Sequence, residues 1–470
     1  MISPLLTDLY QLTMAQGYWK LGLHEREAVF HLSFRHAPFK GSMAIACGLA
    51  TVIDFLKEWH FSEEDLAYLS ELKATNGQAL FSRGFIEYLR GFTFTGDIDA
   101  VPEGTLVFAN QPLLRVRAPL LQGQLLESIL LNIINFQTLI ATKAARVCMA
   151  AGGDKVLEFG ARRAQGIDGA LSASRAAYIG GCNATSNVAA GKQFGIPVYG
   201  THAHSWVTVF PDELTAFENI ARVFPGDCAF LVDTYGALQG VKHAITVGKQ
   251  LQREGRKLAG IRLDSGDLVD LSIKARQLLD EAGFTDAAIV ASNNLDEATI
   301  LSMKQQGAKI SIWGVGTRLV TAFDQPALDG VYKLSALRNE SGAWEYKLKL
   351  SETQNKISHP GIGQIRRFFQ NNQPIMDILY DVELGFSSKA TAISSETLKS
   401  FAPPLDATWS DVLVSVFSKG KLLYSPESIH DVRSRALSCV TEFPVSYLTG
   451  IEENLYALKQ RLVSDLSSHE

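Results

Sequence analysis

The feature that most restricts the fold of this chain is the alternation of short apolar runs with amphipathic segments across residues 150–320. Segments such as residues 237–257 and 268–283 place apolar residues three and four positions apart, as amphipathic helices do. Strands that are apolar throughout and alternate with helices are parallel and covered on both faces. We therefore predict a βα series. Its candidate strands are residues 154–160, 178–185, 196–202, 228–234, 258–264, 287–293 and 309–317.

Such a number of βα units fits a closed barrel better than a six-stranded open sheet, so the predicted fold class is α/β with an irregular TIM-like barrel. The spacing of the runs is irregular and the strand pattern at residues 178–185 is weak, which leaves a doubly wound open sheet as the alternative. In both folds, ligands bind at the carboxyl ends of the strands.

The segments that flank the βα series give the domain organisation. Residues 1–120 begin with a helical pattern and continue with strand-like runs, which predicts an N-terminal mixed domain. Residues 121–330 are assigned to the barrel and its active site. Residues 330–337 and 344–351 form a hairpin pattern around a Gly-containing turn. We expect residues 331–470 to form strands and helices that fold back on the N-terminal part.

Composition limits the classes of partner. The chain has 470 residues, a formal net charge of -5 and an isoelectric point near 6.1, with no Lys/Arg-rich block, so we expect no nucleic acid and no membrane partner. The cysteines are far apart and form no CxxC pair, which argues against a zinc site or a disulfide framework. No signal-peptide or membrane-span pattern is present. We expect a cytoplasmic protein that binds small molecules or copies of itself.

Polar or charged residues follow almost every candidate strand. One such residue is usually a helix cap, but several sets that converge on one barrel mouth are hard to explain by capping. Arginines suit carboxylate or phosphate, carboxylates suit Mg²⁺ or ribose hydroxyls, and glycine-flanked backbone suits phosphate. The set indicates phosphorylated-sugar chemistry. It comprises Phe159, Arg162, Arg163, Thr201, His202, His204, Ser205, Asp233, Thr234, Arg262, Asp264, Ser265, Gly266, Asp267, Ser292, Asn293, Gly314, Gly316 and Thr317.

The sequence GVGT at residues 314–317 is the candidate phosphate loop, because small residues let an anion approach backbone N–H groups and Thr317 adds a hydroxyl. The sequence contains no GxxxxGK[ST] motif, so any ATP is not held by a Walker A loop. It also contains no GxGxxG motif for a dinucleotide.

Five segments together resemble the nicotinate phosphoribosyltransferase family. They read LLTDLYQLTMAQGYW (residues 5–19), the run from FGARRAQG to HAHSWV (159–207), GIRLDSGDLVDLS (260–272), IWGVGTRLVTA (312–322) and GVYKL (330–334). The match follows the same order along nearly the whole chain. The resemblance implies the type II phosphoribosyltransferase fold, in which an irregular α/β barrel accompanies a mixed α+β domain built from the N-terminal segment and later strands.

The same resemblance implies the reaction. Nicotinate and 5-phosphoribosyl 1-pyrophosphate give nicotinate mononucleotide and pyrophosphate, coupled to hydrolysis of ATP to ADP and phosphate, as the first step from nicotinic acid into NAD synthesis. Such an enzyme transfers a pentosyl group and is classed as a ligase that forms a C–N bond. The resemblance also implies a head-to-tail homodimer whose active sites are completed across the interface. Mg²⁺ is expected with the substrate pyrophosphate, and no metal ligands are assigned.

His204 takes the central role that the resemblance implies, because the histidine beside the serine in this motif is transiently phosphorylated by ATP. A neutral imidazole nitrogen can attack a phosphoryl group near neutral pH while a hydrogen bond to the other nitrogen fixes the tautomer. An acidic residue is expected to supply that bond, and the sequence does not identify it. For His202, a structural role with backbone partners is the favoured interpretation.

The resemblance also implies the nicotinate-binding residues. Tyr10 resembles an aromatic residue that stacks on the pyridine ring across the dimer, and Phe159 would cover the opposite face. Arg262 and Thr201 resemble the residues that bind the carboxylate, for which a guanidinium gives a bidentate pair. Alternatively, Tyr10 is an ordinary residue of an amphipathic helix and Phe159 a core residue of the barrel.

Other positions are expected to bind the phosphoribosyl group. Arg162 is assigned to phosphate or pyrophosphate. Asp264, a catalytic candidate, and Asp267 are assigned to the ribose hydroxyls and Mg²⁺, with helix capping as the alternative for Asp267. The 5-phosphate loop is Gly314, Gly316 and Thr317. The chemistry needs little acid or base, since catalysis depends on stabilising the pyrophosphate as it leaves an oxocarbenium-like carbon.

One segment departs from the family pattern. In KISHPGIGQIRRFF, Gly363 and Gln364 follow Pro-Gly-Ile where the family commonly has a lysine after Pro-Gly. Lys356, Arg366 or Arg367 is the candidate to replace that charge.

Two alternative functions stay open from the sequence. Nicotinamide phosphoribosyltransferase shares the fold and the phosphorylated histidine, but it has an aspartate where this chain has Ser186. A carboxylate there would repel nicotinate, so Ser186 favours the acid substrate. Quinolinate phosphoribosyltransferase is shorter and lacks the histidine motif. A non-catalytic binding protein on the same fold should have lost some of His204, Arg262, Asp264 and Thr317, and all four are present.

Overall fold

A computed structural model describes residues 2–224, 226, 228–351, 357–387, 391–444 and 446–468. The chain forms two compact units. The predicted segments 1–120, 121–330 and 331–470 are defined by position along the chain, whereas the compact units are defined by packing. The predicted division stays a prediction. The first unit consists of Met1–Leu139, Ala327–Ser428 and Ser434–Glu470, and the second of Ile140–Pro326 with Ile429–Arg433.

Helices and strands alternate along most of the chain. The helices are α1 (Leu9–Lys20), α2 (Leu49–Lys57), α3 (Glu63–Glu71), α4 (Arg83–Arg90), α5 (Leu120–Leu125), α6 (Glu127–Ala151), α7 (Ile167–Ile179), α8 (Val188–Phe194), α9 (His204–Thr208), α10 (Glu213–Val223), α11 (Ala237–Arg253), α12 (Leu268–Glu281), α13 (Glu297–Gln305), α14 (Thr317–Val320), α15 (Ile429–Glu442) and α16 (Glu453–Ser467). The strands are β1 (Glu27–Phe34), β2 (Ala44–Ile45), β3 (Asp97–Ala100), β4 (Leu106–Val107), β5 (Leu114–Pro119), β6 (Lys155–Glu158), β7 (Ala184–Thr185), β8 (Cys228–Leu231), β9 (Leu258–Leu263), β10 (Ala288–Ser292), β11 (Ile312–Val315), β12 (Gly330–Arg338), β13 (Trp344–Tyr346), β14 (Gly363–Gln370), β15 (Gln373–Asp381), β16 (Ala392–Ser394), β17 (Ser400–Phe401), β18 (Thr408–Asp411), β19 (Val414–Ser418), β20 (Lys421–Leu422) and β21 (Leu448–Glu452).

The second unit is built on a parallel sheet with strand order β7-β6-β11-β10-β9-β8. The prediction of an α/β fold with an irregular barrel is confirmed. The sheet curls into a half-barrel, and its order ends at β7 and β8 rather than closing into a ring. Helices accompany the strands as the βα pattern requires, so the carboxyl ends of all six strands lie at one edge.

Two of the predicted strands differ from the structure. In residues 178–185 only β7 is extended, because α7 continues to Ile179 and ends at Gly180. Residues 196–202 pair with the sheet through one isolated bridge, between Thr185 and Val198. His204 therefore does not follow a regular strand but is the first residue of the short helix α9.

Close packing of helix on sheet explains the apolar periodicity of the βα segments. In α11 the residues Val241, Ala244, Val247 and Leu251 are buried, at spacings of three and four. A Cβ atom at Gly240 would lie 2.0 Å from the Val232 carbonyl oxygen, so only glycine lets this helix approach the strand end so closely.

The first unit is a mixed α+β domain with two larger sheets. One has the order β13-β12-β1-β5-β3-β19-β20, so it joins N-terminal strands to later ones, and the other has the order β17-β16-β21-β15-β14-β18. The predicted hairpin is present as the antiparallel pair β12 and β13. Among the described residues, no helix combines the length and the apolar character needed to cross a bilayer.

Candidate functional site

Arg262, near the end of β9, connects the predicted site residues of the second unit. Its Nε donates to Ser292 Oγ at 2.8 Å, its Nη1 to Thr201 Oγ1 at 3.3 Å and its Nη2 to Asp264 Oδ1 at 3.0 Å. Ser292 Oγ also donates to Asp264 Oδ1. The guanidinium has five N–H groups, so one N–H on each terminal nitrogen is left to bind another group. Two parallel N–H donors suit a carboxylate.

Phe159 lies beside that guanidinium. The Arg262 Cζ atom is 5.5 Å from the centroid of the Phe159 ring. A Cβ atom at Gly314 would lie 2.7 Å from the ring carbons, so a glycine is needed in β11 for the ring to occupy this position. An aromatic ring and a guanidinium thus lie next to each other at the strand ends, a combination that suits an aromatic carboxylate.

His204 faces two carboxylates. Its Nε2 lies 4.0 Å from Asp233 Oδ1 and 4.0 Å from Asp264 Oδ2, while its Nδ1 lies 3.1 Å from the hydroxyl of Thr234. The histidine side chain is 44% exposed, whereas that of Asp233 is 3% exposed. An exposed imidazole supported by a buried carboxylate can react with a ligand at one nitrogen while the other is held in place.

Asp233 is held firmly by its second oxygen. The Oδ2 atom accepts from the Asp264 backbone N–H and from Ser265 Oγ, both at 2.7 Å. The Oδ1 atom is buried and has no hydrogen-bond partner among the described residues. A buried acceptor without a partner is costly, so this oxygen is suited to receive an N–H of His204 or a cation.

The carboxylates of Asp233 and Asp264 are also the candidate ligands for Mg²⁺. Across the described ranges, no group of three or more His, Cys, Asp or Glu side chains could hold a metal ion. Asp233 and Asp264 nevertheless offer two neighbouring carboxylates, one of them with an unpartnered buried oxygen. Such a donor set fits a Mg²⁺ ion that takes its remaining ligands from a bound pyrophosphate and water.

His202 has a structural position. Its Nε2 accepts from the Leu231 backbone N–H at 3.0 Å, and its Nδ1 lies 3.4 Å from the Ala203 carbonyl oxygen. Burial lowers its pKa, as do the charges of Arg262 and His204. The ring is therefore neutral and binds backbone groups, in agreement with the interpretation from the sequence.

The residues assigned to phosphate lie at the same strand ends. Arg162, in a 3-10 turn after β6, is exposed and forms no hydrogen bond or ion pair with another described residue. Thr317 is the first residue of α14, directly after Gly316. Asp267 caps α12, because its Oδ1 accepts from the backbone N–H groups of Val269 and Asp270, each at 3.1 Å. The capping alternative thus accounts for one oxygen of Asp267.

Tyr10 belongs to the first unit and is half-exposed on α1. In the segment that departs from the family pattern, Gln364 is buried and the two arginines are already paired. Arg366 binds Asp411, and Arg367 binds the fully buried Asp377. Lys356 lies outside the described residues.

Sequence reasoning gave no role to three residues of this network. The sequence predicts Asp233, Thr234 and Ser292 only as polar residues at strand ends, whereas in the structure they contact His204, Asp264 and Arg262. Their positions after β8 and β10 were the available signal, because the ends of parallel strands lie at one edge.

Comparison with known proteins agrees with this geometry. Residues 5–135 match the family model described as the nicotinate phosphoribosyltransferase (NAPRTase) N-terminal domain, and residues 155–401 match that of the nicotinate phosphoribosyltransferase (NAPRTase) family. A nicotinate phosphoribosyltransferase of Bacillus subtilis is 43% identical over 98% of this chain and 95% of its own. One from Dictyostelium discoideum is 41% identical over 81% of this chain and 71% of its own.

A solved structure has a similar fold. The crystal structure of human nicotinic acid phosphoribosyltransferase superposes with a TM-score of 0.83 at 30% sequence identity, and the match covers 97% of this chain and 99% of the human chain. Sequence and fold lead to the same assignment, and the chain belongs to the nicotinate phosphoribosyltransferase family.

Proposed function

We propose that this protein transfers the 5-phosphoribosyl group of 5-phosphoribosyl 1-pyrophosphate to nicotinate, giving nicotinate mononucleotide and pyrophosphate. The reaction is coupled to hydrolysis of ATP to ADP and phosphate. The observation that carries the proposal is the arrangement around Arg262, whose guanidinium adjoins the Phe159 ring and whose partner Asp264 faces His204. One end of this arrangement suits an aromatic carboxylate, and the other suits phosphoryl transfer.

Nicotinate binds through its carboxylate and its ring. The free N–H groups on the two terminal nitrogens of Arg262 take the carboxylate oxygens, with the Thr201 hydroxyl beside them. Phe159 covers one face of the pyridine ring. Tyr10 of a second copy covers the other, which makes the active form a homodimer and uses the exposed position of this tyrosine. The product ring is cationic, so both π faces favour it.

ATP coupling proceeds through His204. The Nε2–H group turns toward Asp233 Oδ1, and closing the 4.0 Å gap by roughly 1 Å makes a hydrogen bond. The Nδ1 lone pair, released from Thr234, attacks the γ-phosphorus of ATP, and ADP leaves. Water later attacks the phosphohistidine, which releases phosphate and restores the imidazole. The buried carboxylate stabilises the positive charge that the ring acquires.

Pyrophosphate departure is the demanding part of the transfer step. The bond from C1 of the ribose to pyrophosphate breaks as the pyridine nitrogen approaches, and no proton transfer is required. Arg162 and the backbone around Gly314, Gly316 and Thr317 bind phosphate oxygens, while Asp264 and Asp267 bind the ribose hydroxyls. Mg²⁺, when bound near Asp264, would neutralise charge on the leaving pyrophosphate.

Ser186 supports the acid rather than the amide as substrate. It is exposed and follows β7 directly. Its backbone N–H donates to the carbonyl oxygen of Glu158, the residue that precedes Phe159. A neutral side chain there does not repel a carboxylate.

We infer that the reaction takes place in the cytoplasm.

The proposal is tested by following mononucleotide and ADP together, with phosphoribosyl pyrophosphate and Mg²⁺, for nicotinate, nicotinamide and quinolinate, each with and without ATP. Turnover of nicotinate that rises with ATP, with ADP formed alongside, is expected. Turnover of nicotinamide instead would overturn the interpretation of Ser186. No turnover of any of the three bases would favour a non-catalytic binding protein.

A further inference from the structure

A cleft in the first unit has no part in the proposed reaction. It has a volume of about 460 Å³, is partly open to solvent, and lies between α16, β16 and residues 357–359. None of the residues to which we give a role in catalysis lines it. Its apolar lining is formed by Ile393, Leu398, Ile451, Tyr456 and Val463, and polar side chains line the rest of it.

One face of α16 supplies much of this lining. Tyr456, Lys459, Gln460 and Val463 are spaced at three, four and seven residues, so they lie on one side of the helix. Glu452 caps the helix by accepting two backbone N–H groups of its first turn, which fixes where the helix starts. The arrangement brings one cationic side chain into a cleft that combines apolar side chains with the polar residues Asn110, Ser394, Ser395, Glu396 and Gln460.

Lys459 pairs with no carboxylate of the described residues. Its Nζ donates to the Ile357 carbonyl oxygen at 3.2 Å and lies 3.5 Å from His359 Nδ1. Among the described residues, no carboxylate oxygen lies within the 4.0 Å of a salt bridge to it. Glu396 also lines the cleft, but it is exposed and forms no salt bridge with Lys459.

The surroundings of the amine oppose its charge. Burial lowers the pKa of Lys459 to about 8. Burial also holds the pKa of His359 well below its usual value, together with the charges of Lys459 and His31. His359 is therefore neutral and contributes a lone pair but no negative charge. A small anion beside Lys459 would supply the missing counter-charge.

We propose that this cleft binds a small organic monocarboxylate, whose carboxylate pairs with Lys459 Nζ and whose hydrocarbon part packs on Ile393, Leu398 and Ile451. The monocarboxylate class follows from a single cation without a paired carboxylate, next to the apolar side chains of Ile393, Leu398 and Ile451, which suits one negative group attached to an apolar body. The inference does not rest on the proposed catalytic function, because it uses none of the catalytic residues.

The proposal implies a specific pH dependence. Only the ammonium form of Lys459 pairs with a carboxylate, so affinity should fall as pH rises through the pKa of the free amine. The other ionisable groups that line the cleft are His359, Glu396 and Tyr456, and the charge of His31 acts on His359. The two histidines are neutral above pH 7, because their pKa values lie below their usual range.

Hexanoate is a suitable probe, titrated calorimetrically into the full-length protein at pH 7, 8 and 9. With an amine pKa of about 8, the apparent dissociation constant should rise about tenfold from pH 7 to pH 9. Lys459→Met should abolish this binding, whereas Lys242→Met, which removes an exposed helix lysine, should leave it unchanged. Gln460→Glu, which adds a negative charge on the same helix face, should weaken it several-fold.

Hexanoate could also bind at Arg262, but a guanidinium keeps its charge throughout this pH range. Binding there would persist in Lys459→Met and would not change between pH 7 and pH 9. Binding that persists in Lys459→Met, or binding that does not change between pH 7 and pH 9, would overturn the proposal. The absence of any heat of binding at millimolar hexanoate would overturn it as well. A urea unfolding midpoint for Lys459→Met at or above that of the parent chain would show that the variant is folded.

Discussion

Asp233 Oδ1 lies 4.0 Å from His204 Nε2, and this buried oxygen accepts no hydrogen bond from the described residues. The other oxygen of the same carboxylate is fixed by two donors, so the side chain cannot turn to find a partner without breaking both bonds. The unpartnered oxygen is thus directed at the imidazole. Asp264 Oδ2 lies at the same distance from the imidazole, but the unpartnered oxygen makes Asp233 the better candidate for the acidic residue that the sequence leaves unassigned.

Replacing this carboxylate should impair ATP coupling. In Asp233→Asn the amide can still accept at Oδ1, but it cannot stabilise a charged imidazole, so the ATP-dependent part of the rate should fall about 10- to 100-fold. The measurement is the amount of acid-labile phosphate on His204 and the ratio of ADP to mononucleotide formed. Asp270→Asn is the control, since Asp270 forms an exposed ion pair with Lys274. Full phosphorylation of Asp233→Asn would exclude this role.

Binding of the nicotinate carboxylate should depend on the geometry of the Arg262 guanidinium. Arg262→Lys keeps the charge but loses the planar donors that reach Ser292, Thr201 and Asp264. The KM for nicotinate should rise by about 10- to 100-fold, in line with the loss of a charge-assisted bidentate pair. Steady-state kinetics at saturating phosphoribosyl pyrophosphate would measure this. An unchanged KM would mean that nicotinate binds elsewhere.

Gly314 should be intolerant of a methyl group. In Gly314→Ala the new Cβ would lie 2.7 Å from the Phe159 ring, so the ring must move. Overpacking of this kind costs about 1–3 kcal/mol of unfolding free energy, and a displaced ring should raise the KM for nicotinate. Chemical unfolding and kinetics test both effects. Gly169→Ala is the matched control, because a Cβ at this helical position meets no atom within 4 Å; equal behaviour of the two variants would contradict the packing argument.

Acid should destabilise the protein partly through His31. Burial and the charge of Arg115 lower the pKa of His31 to about 3, against about 6.5 in the unfolded chain. The unfolded state therefore binds a proton that the folded state does not, and stability is lost as the pH falls from about 6.5 towards 3. The slope is at most about 1.4 kcal/mol per pH unit.

His31→Gln should remove this contribution while its amide oxygen still accepts from the Gly363 backbone N–H, which is 3.1 Å from His31 Nε2. The difference in urea midpoint between pH 7 and pH 5 should become smaller in this variant. His60→Gln, at an exposed position, should behave like the parent chain. A parent and a His31→Gln variant with the same acid sensitivity would rule the mechanism out.

The sequence was sufficient to predict the parallel sheet. Strands β9, β10 and β11 lie within their predicted runs, because continuous apolar strands between amphipathic helices have few other solutions. It was not sufficient for residues 178–185, where the end of α7 is set by Gly180 and its packing against α6. A Cβ atom at Gly180 would lie 2.2 Å from the Ala141 carbonyl oxygen, which is a tertiary contact that local periodicity does not contain.

Part of the candidate site was also predictable from the sequence. Arg262, Asp264 and Phe159 were identified from strand ends and motif, and they are in one network. The roles of Asp233 and Ser292 depend on which of their oxygen atoms lies near which donor, and these groups are on three different loops. Single-residue patterns do not determine such distances, because loop conformation is fixed by contacts between segments far apart in the chain.

His202 also completes the hydrogen bonding at the end of the parallel sheet. Strand β8 is the last strand in the sheet order, and the Leu231 N–H points away from β9, although Leu231 itself is buried. The imidazole of His202 occupies that donor. A substitution that removed the ring would leave a buried backbone N–H without its partner, which costs about 1–3 kcal/mol of folding free energy.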